Sequence, residues 1–160
     1  MEQPTNHHRR LSLLEGTFSG VETHHPMPGY PEPAYATARV SATFALNDLF
    51  LLRTYETRRD DRLLYLGHGV YGWDASHQAY SMYWFDTSGT DPLAPIYGVW
   101  SDDDLVFDYR RNDSVCRMLY QFHGTTGYDF SVDVRRADGT WLPTLSGIYK
   151  RESPWRGGGV

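Results

Sequence analysis

Apolar and polar residues alternate along most of this chain, in short runs that end at turn-forming residues. Alternation with a period of two is typical of β-strands that bury one face. Helical spacing is confined to residues 7–16, where Leu11 and Leu14 share one side of a short helix and Gly16 ends it. The pattern predicts ten strands, over residues 17–24, 34–46, 49–57, 62–73, 79–86, 96–100, 105–110, 115–122, 128–136 and 140–151.

Most joints between these runs are short and rich in asparagine, aspartate and glycine, which supply the positive φ that tight hairpins need. Only the connections at 26–33 and 87–95 are long. Sequential strands joined by hairpins form a meander, and a long meander closes because closure removes the exposed sheet edges. We therefore predict an all-β fold, a single antiparallel up-and-down barrel of about ten strands with a short N-terminal helix. A two-sheet sandwich is the alternative, although sandwiches usually need more long crossovers.

Composition fits one globular domain. The 160 residues are 15% aromatic and 22% charged, and we expect the barrel over 11–151, between a flexible N-terminus (1–10) and a flexible C-terminal tail (152–160). A net charge of −5 without a basic stripe argues against a nucleic-acid partner. No apolar run is long enough for a signal peptide or a membrane span, which predicts a cytoplasmic protein without a membrane partner.

A two-residue turn at 47–48 predicts which side chains point into the barrel. On the strand before this turn, the even-numbered residues from 38 to 46 are apolar, whereas the odd-numbered residues from 37 to 43 are polar. Pairing across the turn then places Arg53 on the inner side, opposite Ala42. Continuing the pairing through the turns at 58–61 and 74–78 gives the inward set Leu49, Leu51, Arg53, Tyr55, Leu64, Leu66, His68, Val70, Ser81, Tyr83 and Phe85. A slip of one residue at either turn would invert every assignment beyond it.

The later strands predict a mainly apolar wall on the other side of the barrel, because charged residues fall on their opposite face. The inward residues expected there are Leu105, Phe107, Tyr109, Cys116, Met118, Tyr120, Phe130, Val132, Val134, Pro143, Leu145 and Gly147.

Polar side chains on the inner wall form the candidate site. An arginine inside a barrel is costly unless something pairs with it, and no inward Asp or Glu is evident on neighbouring strands. Gly67 and Gly69 flank His68, and glycine within a strand suggests a close approach or a bend. We expect a small apolar or amphipathic ligand, whose anionic or hydroxylated end is held by the polar group. The ligand-binding residues expected are Arg53, Tyr55, His68, Tyr83, Tyr109 and Tyr120.

Two other interpretations of this polar group stay open. The group forms a self-satisfied structural layer, or the protein is an enzyme with His68 as general acid or base and Arg53 stabilising an anion. Known catalytic and metal-binding motifs are absent from the sequence, so no catalytic residue is assigned and binding is favoured over catalysis.

Other candidate chemistry has simple structural explanations. His24 and His25 are adjacent on a strand and point to opposite faces, so we predict no metal site. Asp74 is expected to cap the turn at 74–78. Cys116 is the only cysteine, which excludes an intrachain disulfide, and its inward position predicts a structural thiol.

Three stretches carry a resemblance to a known family. "LSLLEGTFSG" (11–20), "FALNDLFLLRTYE" (44–56) and "GVYGWDASHQAYSMYWFDTSG" (69–89) resemble motifs of an uncharacterised bacterial family of lipocalin-like barrels, related to calycins and nitrobindins. The resemblance implies a calycin-type barrel closed by a short N-terminal helix, and no established reaction. The chain departs from the motifs at Phe18, where tryptophan is usual, at Trp73, which replaces tyrosine, and at Asn47–Asp48, which replaces a glycine pair.

Two further expectations concern cofactors and assembly. We predict no cofactor and in particular no haem, because the last histidine, His123, lies in a turn and not on the barrel wall. The predicted pairing also places apolar side chains outward on three adjacent strands, a pattern that favours a homodimer. These outward residues are Phe50, Leu52, Tyr65, Tyr71, Met82 and Trp84.

Overall fold

Ten antiparallel strands form one closed barrel in the computed structural model, which describes residues 1–89, 92 and 94–155. Each strand pairs with its neighbours in sequence, and the first strand pairs with the last, so that the described barrel has no free edge. The predicted up-and-down barrel with a short N-terminal helix is therefore confirmed. The elements are α1 (Asn6–Arg10), a 3₁₀ turn (Leu11–Leu14), β1 (Gly16–His24), β2 (Ala34–Ala45), β3 (Phe50–Arg59), β4 (Arg62–Asp74), β5 (Ala79–Asp86), β6 (Ile96–Ser101), β7 (Asp104–Arg111), β8 (Ser114–Phe122), β9 (Gly127–Arg135) and β10 (Trp141–Arg151).

One end of the barrel, here the closed end, is covered by the 3₁₀ turn. Leu11 and Leu14 are fully buried against Phe18 at the start of β1. The guanidinium of Arg151 lies 4.5 Å from the centre of the Phe18 ring and donates to the carbonyl oxygens of Leu13 and Glu15. These contacts join the last strand to the segment before the first strand. We call the opposite end, where β1 ends and β2 begins, the mouth.

The N-terminal segment contains the short helix α1 and contacts the closed end of the barrel. A flexible start is expected over 1–10, but residues 6–10 form α1 and pack on the closed end. The His7 ring stacks on Trp73 at 3.7 Å, and the Tyr80 hydroxyl donates to the His7 carbonyl oxygen at 3.0 Å. Arg10 donates to the Asp102 carbonyl oxygen at 2.7 Å. At the other terminus, residues 156–160 of the expected flexible tail lie outside the described residues.

Register predictions hold for two parts of the barrel. Around the turn at Asn47 and Asp48, which have φ values of 61° and 59°, Ala42 lies opposite Arg53. From β7 to β9, Leu105 pairs with Tyr120 and Tyr120 with Phe130, as the alternation indicates. On β10 the predicted inward position of Pro143 is wrong. A register shift between Pro143 and Leu145 leaves Pro143 exposed and pairs Leu142 with Val134 in its place.

The predicted inward set on β4 and β5 is wrong, because a β-bulge lies in the β3–β4 hairpin. Arg58 pairs with Leu63 and Thr57 pairs with Tyr65, so Leu64 has no partner across the ladder. One extra residue inverts the direction of every side chain that follows. The turn between β4 and β5, bounded by the pair Asp74–Ala79, introduces no further register shift, so the side-chain directions on β5 are inverted as well. Tyr65, Gly67, Gly69, Tyr71, Tyr80, Met82 and Trp84 therefore point inward, whereas Leu64, Leu66, His68, Val70, Ser81, Tyr83 and Phe85 point outward.

Glycines 67 and 69 make room for an inward-facing tryptophan. A Cβ atom placed on Gly67 would lie 2.1 Å from the Trp84 ring, and one on Gly69 would lie 3.1 Å from the same ring. The close approach suggested by glycine within a strand is present, on the inner side of the barrel. This packing is consistent with the inverted orientation of β4.

Candidate functional site

A buried arginine lies at the centre of the closed half of the barrel. Arg53 is 3% exposed and donates to the hydroxyl oxygens of Tyr71 at 3.1 Å, Tyr120 at 2.5 Å and Tyr128 at 2.8 Å. Burial alone would lower the pKa of Arg53, but its interactions with Tyr120, Tyr128 and Tyr71 raise the pKa above the ordinary value. We call these four residues the Arg53 cluster. They come from β3, β4, β8 and β9, so the cluster ties together strands on both sides of the barrel.

Two tyrosines of the Arg53 cluster, Tyr120 and Tyr128, are held in their neutral form. Burial raises the pKa of Tyr128 to about 12, although the charge of Arg53 opposes that shift. Burial likewise raises the pKa of Tyr120 well above its ordinary value. Within the described part of the chain, no carboxylate oxygen lies within 4 Å of the Arg53 guanidinium. Neutral phenol oxygens therefore solvate this buried charge.

A buried glutamate forms a second polar centre, nearer the mouth. Glu22 is 0% exposed, and its Oε1 accepts hydrogen bonds from Tyr55 at 2.6 Å and from Tyr149. Its Oε2 has only long contacts, with the Thr57 hydroxyl at 3.5 Å and with His24 Nε2 at 3.8 Å. We call these five residues the Glu22 cluster. Burial and the neighbouring Glu22 raise the pKa of Tyr55 far above its ordinary value.

Sequence reasoning missed Glu22, because the absence of an inward Asp or Glu was inferred only for the strands that neighbour Arg53, whereas Glu22 lies on β1. The signal that could have found it is the alternation of β1, where Phe18, Gly20 and Glu22 are buried and Ser19 and Val21 are exposed. The two clusters are in contact through a pair of stacked tyrosine rings, Tyr128 and Tyr149, whose centres lie 4.9 Å apart.

Solvent exposure of the inward side chains changes along the barrel axis. Those in the closed half, such as Leu51, Tyr71 and Leu105, are fully buried. Those near the mouth remain partly exposed although they point inward. The partly exposed inward residues are Tyr55, Trp84, Tyr109, Met118, Val132, Val134, Leu142 and Leu145. Several inward side chains near the mouth are therefore partly accessible to solvent, whereas Arg53 and its tyrosine partners Tyr71, Tyr120 and Tyr128 are buried.

Near the mouth, the two walls of the interior differ in chemistry. The wall formed by β1 and β3 carries the carboxylate, hydroxyl and imidazole groups of the Glu22 cluster. The wall formed by β8, β9 and β10 carries Met118, Val132 and Leu145. The arrangement can accept an apolar body on one side and a hydrogen-bonding group on the other. Two shallow depressions on the outer surface of β1 and β10, near Val21 and Ile148, lie away from both clusters.

Four of the six predicted ligand-binding residues lie inside the barrel. Arg53 and Tyr120 meet in the Arg53 cluster, and Tyr55 belongs to the Glu22 cluster. Tyr109 lies near the mouth beside Cys116, and burial together with that thiol raises the pKa of Tyr109 to about 12. The inward position of Cys116 is confirmed.

The prediction that His68 and Tyr83 point into the barrel is wrong, because the β3–β4 bulge turns both outward. Gly69 and not His68 lies opposite Arg53 in the ladder. A general acid or base at His68 therefore cannot act together with Arg53 in the interior.

The turn between β4 and β5 contains serine, histidine and aspartate side chains in contact. Asp74 Oδ1 accepts from the backbone N–H and the hydroxyl of Ser76, at 2.9 and 2.6 Å, which confirms Asp74 as the turn cap. His77 Nδ1 contacts both Asp74 Oδ2 at 2.7 Å and Ser76 Oγ at 3.1 Å. A proton relay needs different ring nitrogens for these two partners. The cluster is a turn motif.

The described residues contain neither a candidate metal site nor a candidate membrane-spanning helix. No group of three or more His, Cys, Asp or Glu side chains among them has the geometry of a metal site. None of their helices is long and apolar enough to cross a membrane.

Comparison with known proteins places the chain in a family. Residues 3–151 match the family described as protein of unknown function (DUF1579), and the chain belongs to that family. No curated protein matches the chain.

Two solved structures share the fold. The crystal structure of Rv2717c from M. tuberculosis is 16% identical, with a TM-score of 0.65, and the match covers 89% of this chain and 95% of that one. The S-type phycobiliprotein lyase CPES from Guillardia theta is 8% identical, with a TM-score of 0.64, and the match covers 96% of this chain and 99% of that one. At these identities the similarity establishes the lipocalin-like barrel fold alone.

Proposed function

We propose that this protein binds a small, partly apolar molecule in the mouth half of its barrel. The observation that supports this function is the partial exposure of inward apolar side chains on β8–β10, beside a buried polar cluster. Apolar walls with a few convergent polar groups are typical of small-molecule sites. The fold shared with a phycobiliprotein lyase is compatible with a role that involves a small molecule.

Roles for the interior residues follow from their positions. Tyr55 and Tyr109 line the mouth half and offer hydroxyl groups to the ligand. Arg53 and Tyr120 lie below them and already bind one another, so they form the floor of the site and keep its shape. The lone Cys116 is compatible with the cytoplasmic location that we expect from the sequence.

A bulky side chain at the mouth is expected to abolish binding. Leu145 points inward near the mouth, and Leu145→Trp would fill the space between the two walls. Ile148 lies on the same strand, is 61% exposed and faces outward, so Ile148→Trp is the matched control. Thermal shift with a panel of fatty acids and aromatic metabolites measures the effect. We expect stabilisation of the wild type and of Ile148→Trp, and none of Leu145→Trp. A panel without effect on the wild type would contradict the proposed function.

We also propose that the protein is a homodimer through the outer face of β3–β5. The face predicted from sequence needs correction, since Tyr65, Tyr71, Met82 and Trp84 point inward. Phe50 and Leu52 stay outward, and the inverted strands add three exposed apolar residues. The outer patch consists of Phe50, Leu52, Leu66, Tyr83 and Phe85, each between 36% and 44% exposed. Leu52, Val70 and Tyr83 are cross-strand neighbours in this face, so the apolar surface is continuous, as in many interfaces.

Introducing charge into the outer patch is expected to separate the protomers. In Phe85→Glu, one carboxylate per protomer would be desolvated without a partner at the interface. Light scattering should give the mass of two chains for the wild type and of one chain for the variant. Val21→Glu, on exposed β1, should remain dimeric. A wild type that is monomeric at micromolar concentration would show that the patch has another use.

A further inference from the structure

The Glu22 carboxyl group is buried with one oxygen well bonded and the other poorly bonded. Oε1 accepts two tyrosine hydroxyls, whereas the contacts of Oε2 are at 3.5 Å and 3.8 Å. A carboxylate accepts about four hydrogen bonds when all of its lone pairs are used. Removing such a group from water is costly unless the lost hydrogen bonds are replaced. Oε2 therefore has room for a strong donor.

No Lys or Arg of the described residues lies within 4 Å of the Glu22 carboxyl group. Among the described residues, the only cationic type within 4 Å is histidine, His24. Arg53, the buried arginine of the other cluster, donates from its terminal nitrogens to the hydroxyls of Tyr71, Tyr120 and Tyr128. Arg53 keeps one unpaired donor, its buried Nε, but lies deep in the closed half with its terminal nitrogens bonded to tyrosines, whereas Glu22 Oε2 has unused acceptor capacity nearer the mouth. This asymmetry favours a ligand that donates hydrogen bonds to Glu22 over one that accepts them from Arg53.

His24 lies between Glu22 and the mouth. Its side chain is 43% exposed, yet its Nε2 is buried without a hydrogen-bond partner, 3.8 Å from Glu22 Oε2. Rotation of the half-exposed imidazole away from the carboxylate would let a donor take its place beside Oε2 and satisfy the oxygen. His24 ends β1 and precedes the long connection to β2, where such movement disturbs few contacts.

We propose that the ligand of this barrel carries a hydrogen-bond-donating nitrogen group, of which a protonated amine is the simplest, and that this group binds Glu22 Oε2 beneath His24. The apolar remainder of the ligand packs on Met118, Val132 and Leu145. This inference rests on the proposed binding function and adds the chemical class of the ligand. It replaces the anionic end that an inward arginine suggests from the sequence.

Three compounds with the same apolar body test the proposal: 4-phenylbutylamine, 4-phenylbutanol and 4-phenylbutyrate. Calorimetric titration of the wild type should show the amine binding about tenfold to a hundredfold more tightly than the carboxylate, as expected for a charge-assisted hydrogen bond. Glu22→Gln should remove that preference and weaken the alcohol less than the amine, because the neutral hydroxyl loses no charge-assisted bond. Equal affinities for amine and carboxylate in the wild type, or an unchanged preference in the variant, would overturn the inference.

A second variant covers the case in which Glu22→Gln does not fold. His24→Ala changes a half-exposed residue at a strand end and uncovers Oε2, so the affinity for the amine should rise while that for the alcohol stays constant. An amine affinity that does not rise would count against the proposed position beneath His24. If the alcohol or carboxylate binds without an amine preference, only the ligand class is wrong. If none of the three compounds binds the wild type, the result contradicts both the ligand class and the proposed binding function.

Discussion

Replacing Arg53 with methionine is expected to lower the free energy of unfolding by about 3–5 kcal/mol, the largest effect of any single substitution that we predict here. Methionine retains much of the apolar volume but cannot donate to oxygen. The substitution leaves the hydroxyls of Tyr71, Tyr120 and Tyr128 buried without their shared donor. Each unsatisfied hydroxyl costs about 1–3 kcal/mol, so the loss is concentrated at one site.

Urea denaturation of ligand-free protein measures this loss. Arg39 lies on the exposed face of the adjacent strand β2, and Arg39→Met is the matched control with an expected change of at most about 0.5 kcal/mol. Arg53→Lys should be intermediate, because one ammonium group cannot replace the planar fork that reaches three oxygens. A loss below about 1 kcal/mol for Arg53→Met would show that the tyrosines find other partners when the arginine is gone.

The same experiment separates two roles for Arg53. A residue that mainly holds a ligand loses affinity when it is replaced, whereas a residue that organises the interior loses stability without any ligand. Its three tyrosine partners and its burial favour the second role. The self-satisfied polar layer considered from the sequence therefore describes the closed half of the barrel well, while the Glu22 cluster carries the argument for binding.

Strand positions were predictable from the sequence because turn chemistry and alternation agree. The fifth strand has the predicted bounds, 79–86, between the turn capped by Asp74 and the long connection that follows. At Asn47–Asp48, both residues have the positive φ that these residue types tolerate, and the predicted pairing across the turn is present. Local signals of this kind act over a few residues and do not depend on the rest of the barrel.

The inner face of β4 was not predictable in the same way, because its sequence does not report the bulge. Leu63, Leu64, Tyr65 and Leu66 are all apolar, so either phase of the strand places hydrophobic residues inside. The choice is made by packing across the barrel, where the Trp84 ring needs the space beside Gly67 and Tyr71 reaches Arg53. Glu22 was hidden for a related reason. A single charged residue on a strand is expected to point toward solvent. The inward position of Glu22 is favourable because Tyr55 on β3 and Tyr149 on β10 donate hydrogen bonds to it.

Alkaline pH is expected to destabilise the protein steeply above about pH 10, because tyrosines in the barrel interior must ionise on unfolding. An exposed tyrosine in the unfolded chain has a pKa near 10, whereas burial raises the pKa of Tyr128 to about 12. A group whose pKa is higher in the folded state contributes its full stability below the unfolded pKa and loses it as the pH rises to the folded pKa. For Tyr128 the window is therefore about pH 10 to 12, and its contribution is about 3 kcal/mol, at about 1.4 kcal/mol for each pKa unit. Burial also raises the pKa values of Tyr120 and Tyr149, so their ionisation on unfolding adds to the loss of stability in the same direction.

Parallel alkaline titrations by tyrosinate absorbance and circular dichroism measure this effect. We expect the absorbance change of the buried Tyr120, Tyr128 and Tyr149 to coincide with the loss of β-structure in one cooperative step. Tyr128→Phe gives the internal control. It should be less stable at neutral pH, because the hydrogen bond to Arg53 is lost. Between about pH 10 and 12, however, its stability should fall less steeply than that of the wild type, by up to about 1.4 kcal/mol per pH unit, since one titrating group has been removed. Complete ionisation of all tyrosines near pH 10 with the circular dichroism unchanged would mean that water reaches the Arg53 cluster in the folded barrel.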